Sequence, residues 1–141
     1  MQNDTLTIGE AITRFGVQVD EHLSREATIP VLTGCQAQGD TLILPAHGQV
    51  PATTPIPAMG VPVVKGEVGG NTHLLLPGGF FDAGPTVQDG ATSLVLGKLT
   101  VPEGSVVYQA HPEHGYAGIG AGTYTISRQR EQADEIRMVQ D

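Results

Sequence analysis

The chain has 141 residues and a formal net charge of −8, with 39% hydrophobic, 16% charged and 4% aromatic residues. That length fits one domain with its own core, and the lone Cys35 excludes an internal disulfide framework or a cysteine zinc site. No Lys or Arg lies between Arg25 and Lys65 or between Lys98 and Arg128, and there is no Trp, so nucleic-acid binding is excluded as an expectation.

Residues 1–10, MQNDTLTIGE, lack the basic flank and apolar run of a signal peptide, and no stretch nears the ~20 apolar residues of a membrane span. The expected setting is therefore the cytoplasm or a virion, with no membrane partner. Helix signals are scarce. Residues 9–15 carry Ile12 and Phe15 three apart, although Val17 and Val19 continue the apolar positions equally well into a strand.

Strand signals follow. Residues 41–44 form a short apolar run stopped by Pro45. The segment from Pro45 to Pro62 holds five prolines, and no charge stands anywhere between Thr41 and Val64. Proline removes ladder donors, so this piece cannot be a central strand. It reads either as a mobile linker or as an extended arm that is covered by the sheet or by a neighbouring subunit.

Residues 73–76 form another run, ended by Pro77-Gly78-Gly79. Residues 93–101 and 105–110 flank Pro102-Glu103-Gly104, which predicts a hairpin. Residues 123–130 alternate most cleanly, with Tyr124, Ile126, Arg128 and Arg130 on one face. Residues 133–141 suit one or two helical turns or a short strand.

Short runs punctuated by Gly and Pro predict an all-β, single-domain sandwich or small barrel with a proline-rich extended arm. The expected organisation is N-terminal strands over 1–44, the arm over 45–62 and a C-terminal β core over 63–141, as one folded unit.

Two constellations could carry chemistry. Residues 111–115, His-Pro-Glu-His-Gly, lie downstream of Glu67, Asn71 and His73, and imidazoles with carboxylates are the ligands a divalent metal takes. The candidate metal set is His73, His111 and His114, completed by Glu113 or Glu67; the competing expectation is that these histidines donate hydrogen bonds that close a hairpin. In the second constellation, Arg128 and Arg130 continue an apolar face and call for carboxylates, with Glu67 and Glu113 as candidate partners in a structural ion pair. Cys35 has no basic neighbour to activate it, and no nucleophile elbow or phosphate loop is present, so no catalytic residue is assigned.

The order Gly66, then a histidine position, then a later Glu or His, echoes the two halves of a cupin metal site, with Asn71 where the first histidine would stand. The block His111-Pro112-Glu113-His114-Gly115 together with Arg128-Gln129-Arg130-Glu131 also resembles a set of small uncharacterised proteins encoded in bacterial and tailed-phage genomes. That resemblance implies a phage or prophage setting and no established activity. The favoured expectation is a non-catalytic assembly or binding module without cofactor, acting on a protein partner or a second copy, such as an accessory protein of a phage particle. The alternative is a cupin-like protein or enzyme holding one divalent metal.

Overall fold

The computed structural model describes residues 5–39, 41–64, 72–84 and 95–128. Glu67, Asn71, Arg130 and the C-terminal segment 133–141 lie outside the described residues.

The single described helix, α1 (Ile8–Phe15), starts where the sequence supplies both halves of a capping box. Glu10 N–H donates to Thr7 Oγ1 at 3.1 Å, and Thr7 N–H donates to Glu10 Oε1 at 2.8 Å. It stops at Gly16, whose φ of 82° places it in the left-handed region with its N–H on the Ile12 carbonyl. The apolar positions Val17 and Val19 therefore follow as irregular chain, because the glycine cap ends the helix and no strand partner takes them up.

The strands are β1 (Val31–Leu32), β2 (Gln36–Gln38), β3 (Thr41–Pro45), β4 (Val61–Val64), β5 (His73–Leu75) and β6 (Phe80–Ala83), followed by β7 (Val95–Val101), β8 (Val107–His111), β9 (Gly115–Ile119) and β10 (Gly122–Arg128). Among the described residues they form two five-stranded sheets, ordered β1-β9-β8-β5-β4 and β2-β3-β10-β7-β6. The protein is an all-β sandwich, as the sequence predicts, with one short helix among the described residues.

The predicted hairpin across Pro102-Glu103-Gly104 is wrong. The turn is there, with Ser105 N–H on the Pro102 carbonyl at 3.0 Å, but it carries the chain from one sheet to the other. β7 pairs with β6 and β10, while β8 pairs with β5 and β9. A Pro-x-Gly turn has the same local chemistry in an arch as in a hairpin. Which one forms is decided by the partners beyond it.

Side chains that alternate along each strand fill two layers. Ile43, Leu75, Phe81, Leu99, Val101, Val107, Ile119, Tyr124 and Ile126 pack between the sheets, joined by Ile56 from the proline-rich arm. Each such fully buried side chain contributes about 1.5–3 kcal/mol. On the outer face of the first sheet, Leu76, Tyr108, Ala110 and Tyr116 pack against Leu6, Ile8, Ala11, Val19 and Ile29. The N-terminal segment thus coats that sheet, and β8 is buried along its whole length because both its faces are covered. The Tyr116 hydroxyl donates to the Val17 carbonyl at 2.8 Å, and burial pushes its pKa up to about 12.

The arm finds its cover within the same chain. Ala52 and Ile56 are buried, Ile56 N–H donates to the Gly79 carbonyl, and Phe81 N–H donates to the Thr54 carbonyl at 2.7 Å. The Asp82 carboxylate accepts from the N–H groups of Thr53 and Thr54. These bonds run along β6, an edge strand, and occupy its open side. Pro45 ends β3 and Pro62 sits in the edge strand β4, positions where a missing ladder donor costs little. Among the described residues no helix is long and apolar enough to cross a membrane.

Candidate functional site at one end of the sandwich

The inner layer changes character along its length. On β8, Val107, Gln109 and His111 share the inward face; on β5, Leu75 is followed toward the same end by His73; on β3, Ile43 is followed by Thr41. The β5–β8 register pairs Leu75 with Gln109, so one step further along that face brings His73 opposite His111. Their rings lie 4.2 Å apart, and both side chains are buried, with 3% and 6% exposure. Pairwise sheet register, from residues 38 positions apart, makes this contact.

A neutral hydrogen-bond network supports His73 from the opposite sheet. Gln38 Nε2 donates to the carbonyls of Gln109 and Gly115 at 3.0 and 3.1 Å. Gln38 Oε1 accepts from Gln109 Nε2 at 2.9 Å and faces His73 Nδ1 at 3.1 Å. Gln109 Nε2 also donates to Thr41 Oγ1, whose hydroxyl donates to the Gln38 carbonyl. Gln109 is fully buried, and its Oε1 has no hydrogen-bond partner among the described residues. Such an orphan acceptor is costly and calls for a donor.

The β8–β9 turn supplies the third imidazole. His111 Nδ1 accepts the backbone N–H groups of Glu113 and His114 at 3.1 and 3.3 Å, which closes the turn. His111 thus takes part in closing the turn as an acceptor, where the sequence reading expected a donor. It follows that a neutral His111 carries its proton on Nε2 and is a donor there. The His114 ring lies 4.6 Å from that of His111 and 6.4 Å from that of His73. Gly39 makes room for both: a Cβ there would stand 2.8 Å from His114 Cδ2 and 3.1 Å from His73 Cε1.

All three histidines of the sequence-predicted metal set thus gather at one end of the interior. Potential ligand atoms of His111, Glu113 and His114 lie within 4.8 Å of one another, with Glu113 and His114 exposed. His73 stands beside this set, against His111. A cavity of about 320 Å³ adjoins His114, lined by Pro30, Gln36, Gln38, Gly39 and Tyr116 among others.

Of the predicted ion-pair residues, Arg128 is half-buried on β10 and paired in register with Thr41, which puts it at this same end. Glu113 is exposed on the β8–β9 turn, while Arg130 and Glu67 are outside the described residues. Cys35 is exposed. The residues missed from sequence are Gln38, Thr41 and Gln109. Gln109 had a signal, since it stands two before His111 and two after Val107 in a strand; Gln38 and Thr41 had none.

A family model described as a domain of unknown function, DUF8820, matches residues 37–129. No curated protein and no solved structure matches the chain.

Proposed function

The chain belongs to the DUF8820 family, and on that premise we propose that the protein binds one divalent transition metal at the histidine end of its sandwich. His73, His114 and Glu113 are the ligands, and His111 braces them. The observation that carries the reading is the gathering of three imidazoles, with rings 4.2 to 6.4 Å apart, from β5 and from both ends of one turn. Imidazole nitrogen with carboxylate oxygen suits zinc, iron or nickel rather than magnesium or calcium. His111 differs from the others because the turn already uses its Nδ1 lone pair. Glu113 and His114 are exposed and can change rotamer to reach ligand distances of about 2.0–2.2 Å, while His73 is held by Gln38. The cavity next to His114 leaves room for a further small ligand on the metal.

Titration of metal-free protein with Zn²⁺ by calorimetry, and with Co²⁺ by visible absorption, tests this. One equivalent binds, and His73→Ala or His114→Ala abolishes stoichiometric binding. A wild-type protein that takes up no stoichiometric metal, or variants that bind as tightly as wild type, would overturn it.

A second reading, a non-catalytic assembly module such as an accessory protein of a phage particle, is favoured by the outer side of the arm. Val50 and Met59 are 72% and 86% exposed there, although the arm's inner side is taken up within the chain. Light scattering distinguishes it: a multimer that Val50→Asp with Met59→Asp dissociates supports assembly, and a wild-type monomer counts against it.

A further inference from the structure

We propose that Gln38 is a positioning residue: its side-chain amide fixes His73 as the Nδ1–H tautomer, so that Nε2 is the atom His73 presents to a metal. The ligand role rests on the metal-binding reading above; the tautomer does not.

The orientation of the Gln38 amide follows from its surroundings. Its Nε2 lies 3.0 and 3.1 Å from two backbone carbonyl oxygens, of Gln109 and Gly115, and carbonyls only accept. Turning the amide over would set its oxygen against both. Oε1 must therefore point at His73 and at Gln109 Nε2.

The Gln109 amide is fixed in the same way. The Thr41 hydroxyl spends its one proton on the Gln38 carbonyl, so toward Gln109 it can only accept. Gln109 thus presents its NH₂ to both Thr41 and Gln38. With the Gln38 amide oriented in this way, the contact of His73 Nδ1 with Gln38 Oε1 at 3.1 Å requires a proton on Nδ1. The other tautomer would face a nitrogen lone pair to an oxygen lone pair across a buried contact.

Two neighbouring rings are consequently held in opposite tautomers. His73 carries its proton on Nδ1, whereas His111, with Nδ1 accepting from two backbone N–H groups, carries it on Nε2. Outer partners that fix the tautomer of a ligating histidine commonly change metal affinity about 10–100-fold when removed. Gln38 reaches His73 from the other sheet, so the ligand atom is chosen by the packing of the two sheets.

Long-range ¹H–¹⁵N correlation spectra of ¹⁵N-histidine-labelled, metal-free protein at pH ~8, above the ordinary histidine pKa of about 6.5, read the tautomers directly. In the wild type, His73 shows a protonated Nδ1 and unprotonated Nε2, and His111 the reverse. In Gln38→Leu, the share of His73 protonated on Nδ1 falls while the His111 signals stay, and Zn²⁺ affinity falls about 10–100-fold. A wild-type His73 protonated on Nε2 overturns the inference even where Gln38→Leu fails to fold, and so does a folded Gln38→Leu with an unchanged His73 pattern. A wild type with the expected tautomers and no metal binding overturns the metal-binding reading and leaves the tautomer assignment standing.

Discussion

The two ends of the sandwich interior are closed by opposite means. At one end Val101, Val107, Ile119 and Tyr124 meet, and the Tyr124 hydroxyl donates to the Gly120 carbonyl at 2.8 Å. At the other, Gln38, Thr41, His73, Gln109 and His111 occupy equivalent inward positions on β2, β3, β5 and β8. Apolar packing is non-directional and scales with the area buried, so the first end needs only volume and shape. The second end needs each donor matched to an acceptor, which fixes side-chain orientation at the expense of tolerance. One end serves stability. The other sacrifices some stability to hold rings and amides in set directions, and leaves Gln109 Oε1 without a partner among the described residues.

Truncation at the apolar end should have the largest effect. Ile119 is fully buried, and Ile119→Ala is expected to cost about 2–5 kcal/mol in urea unfolding while the histidine ring resonances keep their positions. At the polar end, Gln109→Leu keeps the volume but withdraws donors from Gln38 Oε1 and Thr41 Oγ1. The expected loss is smaller, about 1–3 kcal/mol, and here the ring resonances of His73 move. Equal shifts of the histidine signals in both variants would erase the distinction between the ends.

The smallest effect belongs to the arm, away from both ends. Hydrogen bonds from the Thr54 hydroxyl and from the N–H groups of Thr54 and Thr53 hold the Asp82 carboxyl below its ordinary value of 3.8, with Lys98 adding to the effect. A carboxyl depressed in the folded state stabilises above its unfolded pKa, and that contribution is lost as pH falls through the folded one. Amide exchange of Thr53 and Thr54 should therefore accelerate relative to the core once the pH drops below 3.8. In Asp82→Asn this acid-dependent part of the exchange should vanish, with the histidine end undisturbed. Persistence of the acid step in Asp82→Asn would assign it to another carboxylate.

Much of the fold was legible. Residues 9–15, which read equally well into a helix or a strand, became α1, and the runs at 41–44, 73–76 and 123–130, the last as far as it is described, became β3, β5 and β10 with small changes of boundary. β4, β6 and β9 escaped notice, and β1 and β2 were expected only as unplaced strands within residues 1–44. β9 carries Gly115 and Gly118, and Gly118 lies under the Pro30 carbonyl, so its strand character comes from partners on both sides and not from β propensity. At the candidate site the three histidines were visible because imidazoles are scarce and chemically distinctive. Neutral amides are neither, and Gln38 and Gln109 acquired their meaning only opposite one another.

The sequence by itself determined the local terms: extended runs of period two, the turns between them, the net charge of −8 and the short roll of metal-capable side chains. Those are set by backbone sterics and by the alternation of faces, which act over a few residues. The tertiary structure alone decided which sheet each strand joined, that the arm around Pro55 lies against β6, and that His73 meets both His111 and Gln38. Strand pairing and cross-sheet hydrogen bonding link residues tens of positions apart, and their selection depends on the packing of the whole interior.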